Sequence, residues 1–364
     1  MLNIKRTKAY LILEDGQCFE GYSFGAEGEA TGEVVFTTAM TGYNETLTDK
    51  SFYGQIIIQT FPMIGNYGVI PEDFEGGKIY ASGYVVGEYC SAPSNFRCGG
   101  TVDALLREQG IPGIYGVDTR RLTKLLRTRG TMTGRISLSP VWSSEIAAYS
   151  MTDAVKNVSV KEIIPGKTDG SCRVAMLDFG YKENIIRELE KRGCQITLFP
   201  YDTAAEDIIG FKPDGLMLSN GPGDPSVNTV PVANLRKLLE TGIPIFGICL
   251  GHQLLALAAG FKSEKLKFGH RGENQPAKDT ATGRTYITSQ NHGYAIVNDS
   301  VDPSAAGLRF INMNDGTCEG LEYKRANAFT VQFHPQGCGG PRDTAFLFDE
   351  FVKRMGEYKF ENHE

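Results

Sequence analysis

The hydrophobic pattern has two textures, and they meet near residue 150. Before that point apolar and polar positions alternate over short runs. Residues 9–13 and 17–24 flank Asp15-Gly16, a dipeptide suited to a hairpin turn, and residues 33–38 and 55–61 read as further strands. The stretch 40–54 is polar, contains two glycines and reads as a loop. Two helices follow: residues 102–109, ending at Gly110, and residues 119–129, capped by Asp118 and stopped by Gly130. The second places Leu122, Leu125 and Leu126 on one face and Arg120, Arg121, Lys124, Arg127 and Arg129 on the other. That basic face reads as solvated, with docking of an acidic partner as the alternative.

Periodicity weakens over 151–172, which reads as a linker. Beyond Arg173 strands and helices alternate: strands at 174–179, 195–199, 215–219 and 243–248, and helices at 182–192, 232–240 and 252–259, each helix stopped by Gly193, Gly242 or Gly260. Such alternation predicts a parallel sheet covered by helices on both faces, with ligands at the carboxyl ends of the strands. The expected fold class is α/β: a doubly wound, mostly parallel sheet over 173–360, preceded by a smaller β-rich domain with helices over 1–150.

Composition narrows the function classes. A chain of 364 residues is long enough for two cores, and 41% apolar with 22% charged residues is ordinary for a soluble globular protein. The net charge of −6 argues against a general nucleic-acid surface. Eight cysteines without C-x-x-C pairs disfavour a disulfide scaffold and a structural zinc site. The polar, basic residues 1–10 are followed by no long apolar stretch, so the expected location is cytoplasmic. The apolar segment 243–260 is interrupted by His252 and Gln253, which argues against a membrane span.

The candidate chemistry sits in that segment. Gly247-Ile-Cys-Leu-Gly251 joins a strand to a helix and has the G-x-C-x-G form of a nucleophile elbow. Its two glycines allow a sharp turn that leaves Cys249 exposed and strained. The positive end of the following helix favours thiolate there, and the Leu250 N–H is placed to bind an oxyanion. A lone motif of this kind equally describes a buried structural cysteine. A thiol nucleophile needs a base. His334 ends the strand-like run 329–333, and Pro335 then stops the ladder, so its side chain also stands at a strand end. His252 opens the helix and is expected to cap or pack. His292 lies in an apparent turn, His270 in a glycine-flanked loop, and His363 near the chain end. The loop Gly221-Pro-Gly-Asp-Pro225 follows another strand, and Gly223 is a candidate second oxyanion donor.

Gly247-Ile-Cys-Leu-Gly-His-Gln253, the Gly-Pro-Gly-Asp-Pro loop and His334-Pro335 together resemble the class I, triad-type glutamine amidotransferases. Residues 35–49, Ile64-Gly-Asn-Tyr-Gly68, Ser94-Asn-Phe-Arg97 and Asp118-Thr-Arg-Arg-Leu-Thr-Lys124 resemble the N-terminal domain of carbamoyl-phosphate synthase small subunits. The likeness covers nearly the whole chain, including Lys267-Phe-Gly-His270 and Gln290-Asn-His-Gly293. It implies hydrolysis of L-glutamine to glutamate and ammonia through a Cys249 thioester, with His334 as base and then acid. The ammonia would pass to a large synthetase subunit that uses ATP, Mg and bicarbonate; no metal or cofactor is implied for this chain. Ser51, Gly221, Gly223, Leu250, Gln253, Asn291, Gly293 and Tyr294 would hold glutamine, Ser51 reaching across from the N-terminal domain. Tyr294 stands where a Phe is common. The family's His-Pro-Glu reads His334-Pro335-Gln336 here, which leaves Gln336 as the group to orient the base. Arg271, Glu273 and Gln275 also depart from the family's His, Gly and His. Two alternatives stay open: a glutaminase serving another synthetase, which the N-terminal domain argues against, and a weak or silent regulatory subunit, which Gln336 supports.

Overall fold

The computed structural model describes residues 7–166, 170–337 and 339–362. Most of residues 1–10, part of the 165–170 loop and His363, all read above, lie outside them. The chain divides into two compact units, residues 1–154 and 155–364.

The first unit is a closed barrel of seven strands: β1 Lys8–Leu13, β2 Cys18–Gly25, β3 Ala30–Thr37, β4 Gln55–Ile64, β5 Gly83–Tyr89, β6 Pro112–Tyr115 and β7 Met132–Ser137. Their order is β1-β2-β6-β5-β4-β3-β7, and β7 pairs back onto β1, so no edge is left open. The helix Thr119–Arg129 runs as the pattern predicts. The Asp118 carboxylate accepts from the Arg121 N–H at 2.9 Å, Leu122 and Leu126 are buried, and the five basic residues are exposed. The expected loop 40–54 is instead a helix, Tyr43–Thr48, followed by a 3-10 turn, Lys50–Phe52. Tertiary burial overrides its polar composition. Tyr43 and Leu47, four residues apart, point inward, and Tyr43 stacks on Tyr67 at 4.0 Å and donates to the Gly68 carbonyl at 2.7 Å.

The second unit is built on nine strands. Five are parallel: β8 Cys172–Asp178, β9 Cys194–Pro200, β10 Gly215–Leu218, β11 Ile245–Ile248 and β16 Ala328–Val331. Four more extend the sheet antiparallel beyond β16: β12 Ser263–Asp279, β13 Thr285–Ile296, β14 Ala306–Asn312 and β15 Cys318–Tyr323, in the order β13-β12-β14-β15-β16-β11-β10-β8-β9. The parallel strands are apolar on both faces. Ala175, Leu177, Leu216, Leu218 and Ile245 point into one core; Val174, Met176, Met217, Phe246 and Ile248 point into the other. The helix Leu250–Ala258 closes the first core, and Phe246 stacks on Phe329 at 4.4 Å in the second. The stretch read as a linker carries the helix Ala154–Val158 and an isolated bridge from Ile164 to Leu198.

His270 and His292, expected in a loop and a turn, lie instead in β12 and β13 directly opposite one another. The glycines around His270 mark irregularities within a long strand, with register shifts between Lys265 and His270 and between Gly272 and Gln275. Among the described residues no helix is long and apolar enough to cross a membrane.

Candidate active site

Cys249 follows β11 and N-caps the helix Leu250–Ala258 with φ 53° and ψ −104°. A non-glycine residue there stores roughly 1–3 kcal/mol of strain, which the surroundings must enforce. They do so through close backbone packing. A Cβ at Gly247 would lie 2.9 Å from Thr330 Cγ2, and one at Gly251 would lie 2.4 Å from the Leu218 carbonyl oxygen. The Cys249 N–H donates to Val331 O at 2.8 Å and the Gly251 N–H to Ser219 O at 3.0 Å, tying the turn to both neighbouring strands. The sequence predicts a strained cysteine, and strained it is. It is not exposed: Cys249 is only 2% accessible, packed in the core cluster with Phe333, with its sulfur 3.7 Å from Asn291 O. The long antiparallel extension, invisible in the α/β pattern, covers the sulfur.

His334 emerges from β16, the parallel neighbour of β11, so both side chains leave the sheet at the same end. Its N–H donates to Ser289 O at 2.9 Å. The ring is buried, and its Nε2 has no hydrogen-bond partner. Burial first, and then the Lys182 ammonium, hold its pKa well below the usual imidazole range, so the ring is neutral.

Gln336 is beside His334, as the sequence suggests, but with opposite polarity. Its amide nitrogen, not its oxygen, faces His334 Nδ1 at 3.1 Å. An N–H donated to Nδ1 places the ring proton on Nε2. Gln336 Oε1 is buried without a hydrogen-bond partner. Turning the amide over would present Oε1 to an Nδ1–H and bare Nε2 as a base. The loop is held by Asn184, whose amide donates to the carbonyls of Gln336 at 3.1 Å and Gly337 at 3.2 Å. Neither Asn184 nor Lys182 was singled out in the sequence. They follow a different strand, β8, and only the fold brings them here.

His252 is a core histidine. Its Nδ1 lies 2.7 Å from Thr330 Oγ1, and burial pushes its pKa down to about 3. Gln253 is also buried, and its amide nitrogen donates to Tyr294 O at 2.8 Å and Gln332 Oε1 at 2.9 Å. It thereby fastens the elbow helix to β13, the strand that carries Asn291, Gly293 and Tyr294. Leu250 is the first residue of its helix, so its N–H has no partner within the helix. Gly221 packs against β8's end, where a Cβ would lie 2.1 Å from Phe179 O, and Gly223 adopts φ 90°. Of the loop departures, Arg271 donates to Phe268 O at 2.6 Å and lies over Gly293, while Gln275 Oε1 accepts from Asn314. Glu273 lies against Gly340. Ser51 belongs to the first unit, where its N–H donates to Asp49 Oδ1 at 2.8 Å.

Residues 11–136 match the family described as carbamoyl-phosphate synthase small chain, CPSase domain, and residues 175–354 match glutamine amidotransferase class-I. Curated relatives match almost end to end. The carbamoyl phosphate synthase small chain of Fusobacterium nucleatum is 48% identical over 350 residues, 95% of this chain and 97% of that one. That of Bacillus caldolyticus is 48% identical over 356 residues, covering 96% and 97%. That of Listeria monocytogenes is 49% identical over 355 residues, covering 96% and 97%. A strained cysteine at a strand–helix elbow, a buried neutral histidine just beyond the adjacent strand and this likeness over both units agree: the chain belongs to the carbamoyl phosphate synthase small chain family and carries that family's class I glutamine amidotransferase domain.

Proposed function

We propose that this chain hydrolyses L-glutamine to glutamate and ammonia through a Cys249 thioester and delivers the ammonia to a large synthetase subunit. The observation that carries the reading is Cys249 itself, held at positive φ at the head of a buried helix. Strain of that kind is otherwise a cost without return. The helix N-terminus favours the thiolate, which attacks the carboxamide carbon. The N–H groups of Leu250 and Gly223 take the oxyanion. His334 Nε2 first removes the thiol proton and then gives a proton to departing ammonia; it later activates the water that cleaves the thioester. That sequence needs Gln336 with its oxygen on Nδ1. Asn291, Gly293, Tyr294, Gly221 and Gln253 line the carboxamide and backbone ends of glutamine, and Ser51→Ala tests the remaining candidate contact through KM. ATP, Mg and bicarbonate are assigned to the partner, and no cofactor is proposed for hydrolysis here.

A second reading has one observation in its favour. With the Gln336 amide nitrogen on Nδ1, His334 carries its proton on Nε2 and cannot accept another. The chain would then be a silent or weak subunit that keeps its fold and its partner. One experiment separates the two: glutamine hydrolysis by the purified chain, alone and with its large subunit, beside Cys249→Ala. Turnover that rises with the partner and vanishes in Cys249→Ala supports the first. No turnover in either state, with the complex still forming and still using free ammonia, establishes the second.

A further inference from the structure

The antiparallel extension holds a buried cluster of imidazole and carboxylate groups whose hydrogen bonds are incompletely made. His270 on β12, His292 on β13 and Glu319 on β15 each offer one donor atom, and these atoms lie within 4.8 Å of one another. The surrounding hydrogen bonds fix what each atom can do. His292 Nδ1 is 2.8 Å from the Tyr294 carbonyl, which can only accept, so the proton is on Nδ1 and Nε2 is bare. Nε2 faces Gln290 Oε1 at 3.2 Å. Gln290 cannot relieve this by turning over. Its nitrogen donates to Thr288 Oγ1 at 3.1 Å, and the Thr288 hydroxyl spends its one proton on Gln275 O at 2.8 Å. Two acceptors therefore meet with no hydrogen between them.

The other half of the cluster has more of its hydrogen bonds made. Asp315 Oδ2 takes the His270 Nε2 proton at 2.8 Å, and Nδ1 lies 3.3 Å from Glu319 Oε1. Asn312 Nδ2 donates one N–H to that carboxylate oxygen at 2.9 Å and can offer the other to Nδ1 at 3.3 Å, a contact that an ion on Nδ1 would replace. Its own orientation is fixed, because Asn312 Oδ1 accepts from the Asn314 N–H at 2.9 Å. Glu319 is fully buried, and its second oxygen, Oε2, has no hydrogen-bond partner.

We propose that His270, His292 and Glu319 bind one divalent transition-metal ion of the zinc class, with Gln290 Oε1 or water as the fourth ligand. Two imidazoles and a carboxylate are a zinc-type donor set. Zinc at about 2.0–2.2 Å from each donor puts neighbouring ligand atoms about 3.3 Å apart. His270 Nδ1 and Glu319 Oε1 already meet that spacing, and the remaining donors need a modest contraction. The outer contacts have the form such sites require: each imidazole gives its other N–H to oxygen, Asp315 for His270 and Tyr294 O for His292. The ion would pin β13 to β12 and β15 directly beneath Asn291 and Gly293. The site stands on these hydrogen bonds alone and holds whether or not the chain hydrolyses glutamine.

The test uses the full chain stripped of metal and titrated with Zn²⁺ and with Co²⁺, read by metal content after dialysis and by the Co²⁺ visible spectrum. One equivalent should bind to the wild type and to Cys249→Ala, with tetrahedral d–d bands and no sulfur-to-cobalt charge-transfer band, and should be lost in Glu319→Gln. Asp315→Asn, at a position 42% exposed in its side chain, should fold regardless and bind 10–100-fold more weakly. Failure of the wild type to retain an ion, retention by Glu319→Gln, unchanged affinity in Asp315→Asn, or loss of the ion in Cys249→Ala would each overturn the proposal.

Discussion

In the proposed reaction His334 and Gln336 set the rate at the residue scale, because the thiol proton goes to a bare Nε2. Gln336→Glu replaces a group that can donate or accept with one that only accepts, which forces the proton onto Nδ1. A charged acceptor adds about 1–2 kcal/mol over a neutral one, or roughly 5–30-fold in turnover. Repair of the tautomer adds to this, with the ~10⁴-fold effect of the corresponding serine-protease change as an upper bound. The glutamine-dependent rate should therefore rise at least 5–30-fold while the rate with free ammonia stays level; no change in either would mean that Gln336 does not orient His334. The pH profile gives a second check. Burial and Lys182 hold His334 neutral well below pH 6.5. The acid limb of kcat/KM for glutamine should lie clearly below the ordinary histidine range, and a limb centred at pH 6.5 would point to a different base.

At the scale of elements, the elbow is where local sequence and tertiary packing agree most closely. Gly251→Ala tests that agreement. Its Cβ would fall 2.4 Å from the Leu218 carbonyl oxygen, a backbone atom that cannot move aside cheaply. Overpacking of this kind costs about 1–3 kcal/mol or more. We expect a lower denaturant midpoint together with loss of stoichiometric labelling of Cys249 by a glutamine-like electrophile; wild-type values of both would show that the turn tolerates a side chain. The same elements explain what was legible. The helix Thr119–Arg129 and the parallel strands were readable because Asp118 and the Leu122–Leu126 spacing, or continuous apolar runs such as 174–179, encode them locally. The helix Tyr43–Thr48 was not, because its inward face is set by Tyr67 and Gly68, more than twenty residues away. Nor were β12 and β13, whose glycines imitate turns while the strands run through them. For that reason the burial of Cys249 and the pairing of His270 with His292 came only from the fold. Gln336 could be placed beside His334 from the resemblance to the family's His-Pro-Glu, but the orientation of its amide depends on contacts that the sequence does not carry.

Over the whole molecule, buried neutral histidines couple the fold to pH. His252 has an ordinary value of 6.5 in an unfolded chain and about 3 in the fold, because burial with no partner on Nε2 penalises the charged ring. Between those values the unfolded chain binds a proton that the folded chain does not. Stability therefore rises with pH across this window: the contribution is fully present above about pH 6.5 and is lost as pH falls toward 3. The slope is about 1.4 kcal/mol per pH unit for this one group. His334 works in the same sense, while His270, raised by Glu319 and Asp315 against its desolvation, works oppositely and is strongest below pH 6.5. The measured curve sums all of them, so His252 is isolated by comparison. Chemical denaturation of the wild type and His252→Gln at pH 4, 5, 6 and 7 gives two curves of unfolding free energy. Thr330 Oγ1 still has a polar partner in the variant, so it should fold. The wild-type curve should fall about 1.4 kcal/mol more per unit than the variant's between pH 6 and 4, and the two should run parallel above pH 7. Parallel curves over the whole range would mean that the buried ring takes up its proton without cost and that His252 is not held neutral by the fold.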